Sequence, residues 1–234
     1  RDVLQEYFDV VTDTPVISKA RLVFTAGEAT AQPVEDRQGP SSKPYTRAQC
    51  PEPDVSFDEL KRLFIRRRSV RWYLQEPVPA DLVNKAIEAA ALAPSACNRQ
   101  PFRFIVSTEP EWASRIAACA GGTAGFSQQL PAIIVVVGDL SAYRWERDRH
   151  LIYVDSALAS MQLMLAAETL GLATCPINWP DVDLAEHKIK QLIELPAHER
   201  IIMLIAIGYG DPDGGIPYSQ KKQGDLLVQE FQPR

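Results

Sequence analysis

Little in this sequence points to metal, disulfide or hydrolytic chemistry. Its four cysteines, Cys50, Cys97, Cys119 and Cys175, are scattered and form no CxxC pair, which argues against a zinc site or disulfide framework and for a reducing compartment. Histidine occurs three times, at His150, His187 and His198, with neither HExxH nor a carboxylate cluster beside it, so no metal ligands are assigned. Positive charge is in deficit. The 234 residues carry a net charge of −5, whereas a general binder of nucleic acid or anionic membrane wants a basic surface, so neither partner is expected. The longest mostly apolar stretch, Ala157 to Cys175, is interrupted by Gln162 and Glu168 and closed by Gly171, which suits a buried helix better than a membrane span. The opening RDVLQEYFDVV lacks the charged-then-apolar order of a secretory leader, so a cytoplasmic location is expected; the first residue is not Met. Dinucleotide loops are missing as well. Gly121-Gly122-Thr123-Ala124-Gly125 lacks GxGxxG spacing, and Gly208-Tyr209-Gly210 runs into a turn instead of opening a helix.

What is present is enough apolar material, 46% of the chain, for one globular domain with a core and an appendage. Residues 1–55 hold Pro15, Pro33, Pro40, Pro44, Pro51 and Pro53, and from Gln32 to Pro53 show no periodicity, as an arm or linker would. Within them Val16 to Phe24 reads as a short strand. The domain, 56–234, opens on a capping box, Ser56-Phe57-Asp58-Glu59, that starts a helix running to about Arg66. Pro79 starts a second helix, which stops at Pro94. Further helices are predicted at Glu111 to Ala120, Arg149 to Leu170 and Leu184 to Glu194, and strands at Phe102 to Ser107, Ile133 to Gly138 and Ile201 to Gly208. Strands separated by helices, few in number and without a βα repeat, indicate α+β: a mixed sheet flanked by helices.

Two constellations carry chemistry. Arg66-Arg67-Arg68-Ser69-Val70-Arg71 sets four guanidiniums within six residues where a helix ends, and their mutual repulsion calls for water or an anion, most naturally phosphate. A solvated charge run at a helix C-terminus is the plainer reading. The second, Ala93-Pro94-Ser95-Ala96-Cys97-Asn98-Arg99-Gln100-Pro101-Phe102, joins a helix to a strand and supplies a small hydroxyl, two amides and an aromatic. Its plainer reading is a helix stop with polar loop residues.

Taken together, RRSVR and APSACNRQPF at this spacing resemble the FMN-binding nitroreductase family, and the resemblance continues through LGLATC at the end of the long helix and the strand ending in Gly208-Tyr209, covering roughly residues 57 to 231. It implies that Arg67, Arg68, Ser69 and Arg71 hold the FMN phosphate and pyrimidine edge. It implies that Pro94, Ser95, Ala96, Asn98 and Gln100 contact the flavin from the other subunit of a homodimer, and that Pro176, Ile177, Asn178 and Trp179 cover one face of the ring and offer an amide to it. Ser219 and Lys221, which point the same way in extended chain, correspond to the basic residues that close on the phosphate. Where many relatives carry an acidic residue and a glycine, this chain has Asn178 and Trp179, and the indole is expected to narrow the substrate pocket or stack on a planar substrate. The implied activity is reduction of a small acceptor by NAD(P)H, which binds transiently over the flavin, in ping-pong turnover without a catalytic dyad. A lid between Gly138 and His150, with Tyr143, Arg144, Trp145, Arg147 and Arg149, is expected to set substrate choice. Ala157, Leu158, Met161, Leu165 and Glu168 recur at helical spacing on the long helix and are expected at the dimer interface. A reductive dehalogenase, an oxidative dehydrogenase or a non-catalytic flavin-binding protein fits the same pattern.

Overall fold

Two stretches made almost wholly of aliphatic residues, Ala132–Asp139 and Glu199–Gly208, lie side by side at the centre of a four-stranded sheet in the computed structural model, which describes residues 2–30 and 43–233. Numbered along the chain, the strands are β1 (Phe102–Ser107), β2 (Ala132–Asp139), β3 (Ala173–Asn178) and β4 (Glu199–Gly208), in the spatial order β1-β2-β4-β3. All three pairings are antiparallel, and among the described residues the parallel pairing is a single bridge between Ser69 and Thr174. A strand buried on one face alternates apolar with polar; β2 does not alternate because both of its faces are covered. Ile133, Val135 and Val137 point into one core with Leu204 and Ala206, while Ala132, Ile134 and Val136 point into another with Ile205 and Ile207. Each large aliphatic side chain so buried contributes about 1.5–3 kcal/mol relative to exposure.

Helices α4 (Ala80–Ala90), α5 (Pro110–Ala117), α6 (Leu151–Thr169) and α7 (Asp183–Lys190) cover the sheet, and α3 (Phe57–Arg66) lies against α6. The first core takes Ala113, Ile116 and Ala117 of α5 and Ala185 and Ile189 of α7; the second takes Val83, Ala86 and Ala90 of α4 and Ile152, Ala159, Leu163 and Ala167 of α6. The predicted capping box forms, with the Glu59 amide donating to Ser56 Oγ at 3.3 Å and the Ser56 amide to Glu59 Oε2 at 2.8 Å. Those bonds from Ser56 hold the Glu59 carboxyl below its usual value. By length and composition the stretch Glu146–Thr169 could cross a membrane; here its buried residues face the sheet and α4. Its outward side, Tyr153, Val154, Leu158 and Met161, remains apolar and 38–48% exposed in the single chain.

The chain divides into two compact units, residues 1–54 and 55–234. In the first, α1 (Asp2–Val10) and α2 (Pro15–Thr30) are helices, and the strand expected at Val16 to Phe24 is helical instead. The helix brings Arg21 and Phe24 onto one face: Phe24 meets the Phe8 ring at 5.3 Å between centroids, and the Arg21 guanidinium lies 5.2 Å over that ring and donates to the carbonyl of Phe8 and to Asp13. These contacts outweigh the β preference of Val16 and Ile17. The middle of the expected linker, residues 31–42, lies outside the described residues.

Candidate functional site

α3 ends at Arg66, and Arg67 turns the chain into an extended course that runs beside the free edge of β3. The Val70 amide donates to Thr174 O at 3.0 Å and the Leu74 amide to Tyr209 O at 2.9 Å, so the basic segment is tied to the ends of two strands. Tyr73 anchors it. Its ring is buried and its hydroxyl reaches Val70 O at 2.7 Å and Ala206 O at 3.3 Å; burial pushes the phenol well above its usual value, so it serves as a fixed donor. Gly208 permits this arrangement, because a Cβ there would stand 2.4 Å from Pro131 Cγ and 3.0 Å from Tyr73 Cδ1.

Arg67, Arg68, Ser69 and Arg71 line one cleft of about 200 Å³ together with Ser219 and Lys221, from a segment some 150 residues later. Arg68 reaches that segment directly, donating to Pro217 O at 3.2 Å, and Lys221 Nζ donates to Ser219 Oγ at 2.8 Å. The Nε of Arg67 is buried and has no acceptor among the described residues. An unpartnered buried N–H costs about 1–3 kcal/mol, so a cleft of convergent cations with one such donor fits an oxyanion ligand, and a phosphate monoester suits it. Larger concavities along residues 218–232 are lined only by neighbouring residues of that segment and gather no distant donors.

Arg66 stands apart from the cleft. Its Nε lies 3.3 Å from Glu168 Oε2, and the Glu168 side chain is 6% exposed. Burial raises the Glu168 carboxyl above its usual value, opposed by the charges of Arg66 and Arg67. Glu168 is therefore turned into the chain and leaves the outward stripe expected of α6.

A second, adjoining cleft of about 140 Å³ shares Arg71 and is lined by Pro176, Ile177 and Asn178, together with Gly122 and Phe126. Arg71 lies 5.7 Å over the Phe126 ring, and Gln129 holds its carbonyl at 2.6 Å. The outward bond of Thr174 to Val70 means, by the two-residue period of a strand, that the main-chain groups of Pro176 and Asn178 also point away from β4. Proline has no N–H to lose there, and the Asn178 amide faces the cleft. Cys175 points inward, its thiol pushed up by burial against the pull of Arg71 and Ser69. Trp179 departs from expectation: its indole is buried in the first core and donates to Glu186 Oε1 at 2.8 Å, so the ring neither narrows the cleft nor stacks on what enters it. An indole that finds an acceptor on α7 gains more from burial than from exposure at the cleft.

Pro94, Ser95, Ala96, Asn98 and Gln100 form a third group, on the loop between α4 and β1, and neither cleft lining includes any of them. This loop is strained: Cys97, Asn98 and Gln100 have φ of 53°, 52° and 48°. Left-handed non-glycine residues cost about 1–3 kcal/mol each and persist when the surroundings impose them. Ser95 Oγ accepts from the Gln100 amide at 2.9 Å, Gln100 Nε2 donates to Asn98 Oδ1 at 3.2 Å, and Asp155 Oδ2 accepts from the Ala96 amide at 3.2 Å. Sequence reasoning gave no role to Phe126 or Asp155 and weighed the glycines at 121 and 122 only as a dinucleotide loop; a carboxylate in the first half of a mostly apolar helix was the available signal for Asp155.

Comparison with known proteins bears on these groups. The family model described as "Nitroreductase family" matches residues 65–124 and 107–209, which include the basic segment, the strained loop and all four strands. NADH dehydrogenase of Thermus thermophilus is 28% identical over 187 residues, covering 67% of this chain and 89% of its own. Iodotyrosine deiodinase 1 of Mus musculus is 21% identical over 79% of this chain and 74% of its own. A crystal structure from Desulfovibrio desulfuricans, described as a nitroreductase in complex with FMN, superposes with a TM-score of 0.62 at 26% identity, covering 74% of this chain and 98% of that one.

Proposed function

The chain belongs to the nitroreductase family, and from that premise we propose that it is an FMN-dependent oxidoreductase, working as a homodimer, that uses NAD(P)H to reduce a small planar acceptor. Convergence of Arg67, Arg68, Ser69, Arg71, Ser219 and Lys221 on one cleft, with an unpartnered Arg67 Nε, is the observation that carries this reading. These residues would hold the terminal phosphate. Arg71, common to both clefts, would lie toward the pyrimidine end, where a fixed cation stabilises negative charge as the ring is reduced. Pro176, Ile177 and the outward Asn178 amide would face the ring. Bound FMN supplies two-electron redox chemistry that no side chain here provides. The 94–100 loop lies outside both clefts of its own chain, which supports a site completed by a second subunit. The apolar outward stripe of α6 supports the same reading, since a helix apolar all round is normally covered all round.

Released cofactor, identified by mass spectrometry, tests the proposal. FMN is expected, and the yellow colour should bleach with NADH or NADPH and return on adding acceptor, with parallel lines in double-reciprocal plots. Only FAD, or no flavin after reconstitution, would sink it; colour that never bleaches would leave a binding protein and no reductase. The acceptor panel should pair nitroaromatics and quinones with halogenated phenols, because the similarity to a deiodinase extends over 79% of the chain.

A further inference from the structure

Asp155 is the fifth residue of α6 and is 3% exposed. A buried charge is retained only where it is paired or hydrogen-bonded, so its partners indicate its role. Among the described residues it has two donors, and both meet the same oxygen. Oδ2 accepts from the Ala96 amide at 3.2 Å, at the start of the strained loop, and from the hydroxyl of Tyr143, in the expected lid. A second route joins the same two segments: Arg99 donates to Ala142 O at 2.7 Å and stands 5.8 Å over the Tyr143 ring. Loop, helix and lid thus close a circuit through Asp155.

The lid depends on that circuit at one point. Before Tyr143 it is held by the fold, through the Leu140 amide on His198 O at 2.9 Å and Asp139 capping Ser141 at 2.7 Å. After Tyr143 the contacts turn local: Arg144 lies 4.8 Å over Trp145, Arg147 pairs with Asp148, and Arg149 with Glu146. Among the described residues, Tyr143 is therefore the last of the lid to hydrogen-bond the rest of the domain before α6 begins. Burial, and then the bond to Asp155, push its phenol above the usual value, so it keeps its proton throughout the neutral range.

Resting on the reading of loop 94–100 as the flavin-side loop, we infer that Asp155 is a positioning residue: it fixes the lid against that loop and thereby sets the fit of the acceptor, without touching flavin or substrate. Tyr143→Phe removes one donor and no volume to speak of; Asp155→Asn keeps the shape and replaces the carboxylate by a weaker acceptor. Limited trypsin digestion of the FMN-free and FMN-loaded protein reads the lid directly, by the rates of cleavage after Arg144 and Arg147. Both variants should be cut about tenfold faster, the scale set by losing one bond to a charged group. In the loaded enzyme the acceptor KM should rise about tenfold while kcat stays within about twofold, because binding fit is lost and chemistry is not. The double variant should match the more severe single one, as members of one circuit do.

Unchanged cleavage in both single variants, or effects that multiply in the double, would overturn the inference. So would a melting-point loss with KM and cleavage unaltered, which would make Asp155 merely structural. Should Asp155→Asn fail to fold, Tyr143→Phe decides alone, since only a hydroxyl is removed. A protein that binds no FMN would defeat the functional reading, yet the trypsin rates on the FMN-free chain would still decide this one.

Discussion

Arg66 and Arg71 carry the same charge five positions apart, and their neighbours give them different work. Arg71 lines both clefts and has no carboxylate partner among the described residues, whereas Arg66 is paired with the buried Glu168. Arg71→Ala should weaken FMN binding by about 1.5–3 kcal/mol, the range for a hydrogen bond to a charged group. Arg66→Ala should leave FMN affinity nearly intact and lower stability instead. That loss has a pH sign. A carboxyl whose folded pKa lies above its unfolded value contributes stability at low pH that is lost as pH rises through the folded pKa. Glu168 is already raised by burial and would be raised further without its cation, so Arg66→Ala should resemble wild type near pH 4.5 and fall behind as pH increases. Denaturant midpoints across that range, with flavin titrations beside them, check both halves. Equal FMN losses at the two positions would mean that the cluster acts as a diffuse charge.

Helices and strands are where the sequence was most legible, because their signals are local and periodic. α3 begins at its capping box and ends at Arg66 as expected, β1 matches residue for residue, and β2, β4 and α6 differ by a residue or two at their ends. β3 was read only as a segment following the long helix, because Pro176 and its six-residue length mask an edge strand whose proline sits where no N–H is needed. α2 was misread because its helical state rests on Arg21 and Phe24 reaching Phe8 of α1, a tertiary fact. The candidate site divides in the same way: the basic segment was visible as composition, whereas the inward turn of Trp179 depends on Glu186, seven residues on, becoming a neighbour through α7. Spatial constraint also fixes Gly208, at the end of β4. Gly208→Ala should cost about 1–3 kcal/mol by overpacking against Pro131 and Tyr73, measured by urea denaturation. A neutral result would show that Pro131 shifts freely and that the basic segment is not rigidly seated.

For the molecule as a whole, the outward stripe of α6 offers the test of a shared site. Leu158 is 44% exposed in the single chain, so Leu158→Glu leaves the chain's own core untouched while placing a charge on the stripe. Sedimentation should then report monomers, and flavin content should fall in parallel, because a ligand bound only by the assembled state is lost with it. A monomeric variant that keeps its full FMN would place the whole site within one chain. Another property of the whole follows from β2 and β4 being hydrogen-bonded neighbours although about 60 residues separate Asp139 from Glu199. Synthesis at about 5–20 residues per second leaves β2 waiting roughly 3–12 s for the strand that closes its second edge. Only β1 is then available to cover it. For that interval a growing chain carries the open, uncharged edge of Ala-Ile-Ile-Val-Val-Val, the kind of segment that pairs with other copies of itself, so the length of the wait for β4 sets how long each new chain is exposed to such pairing.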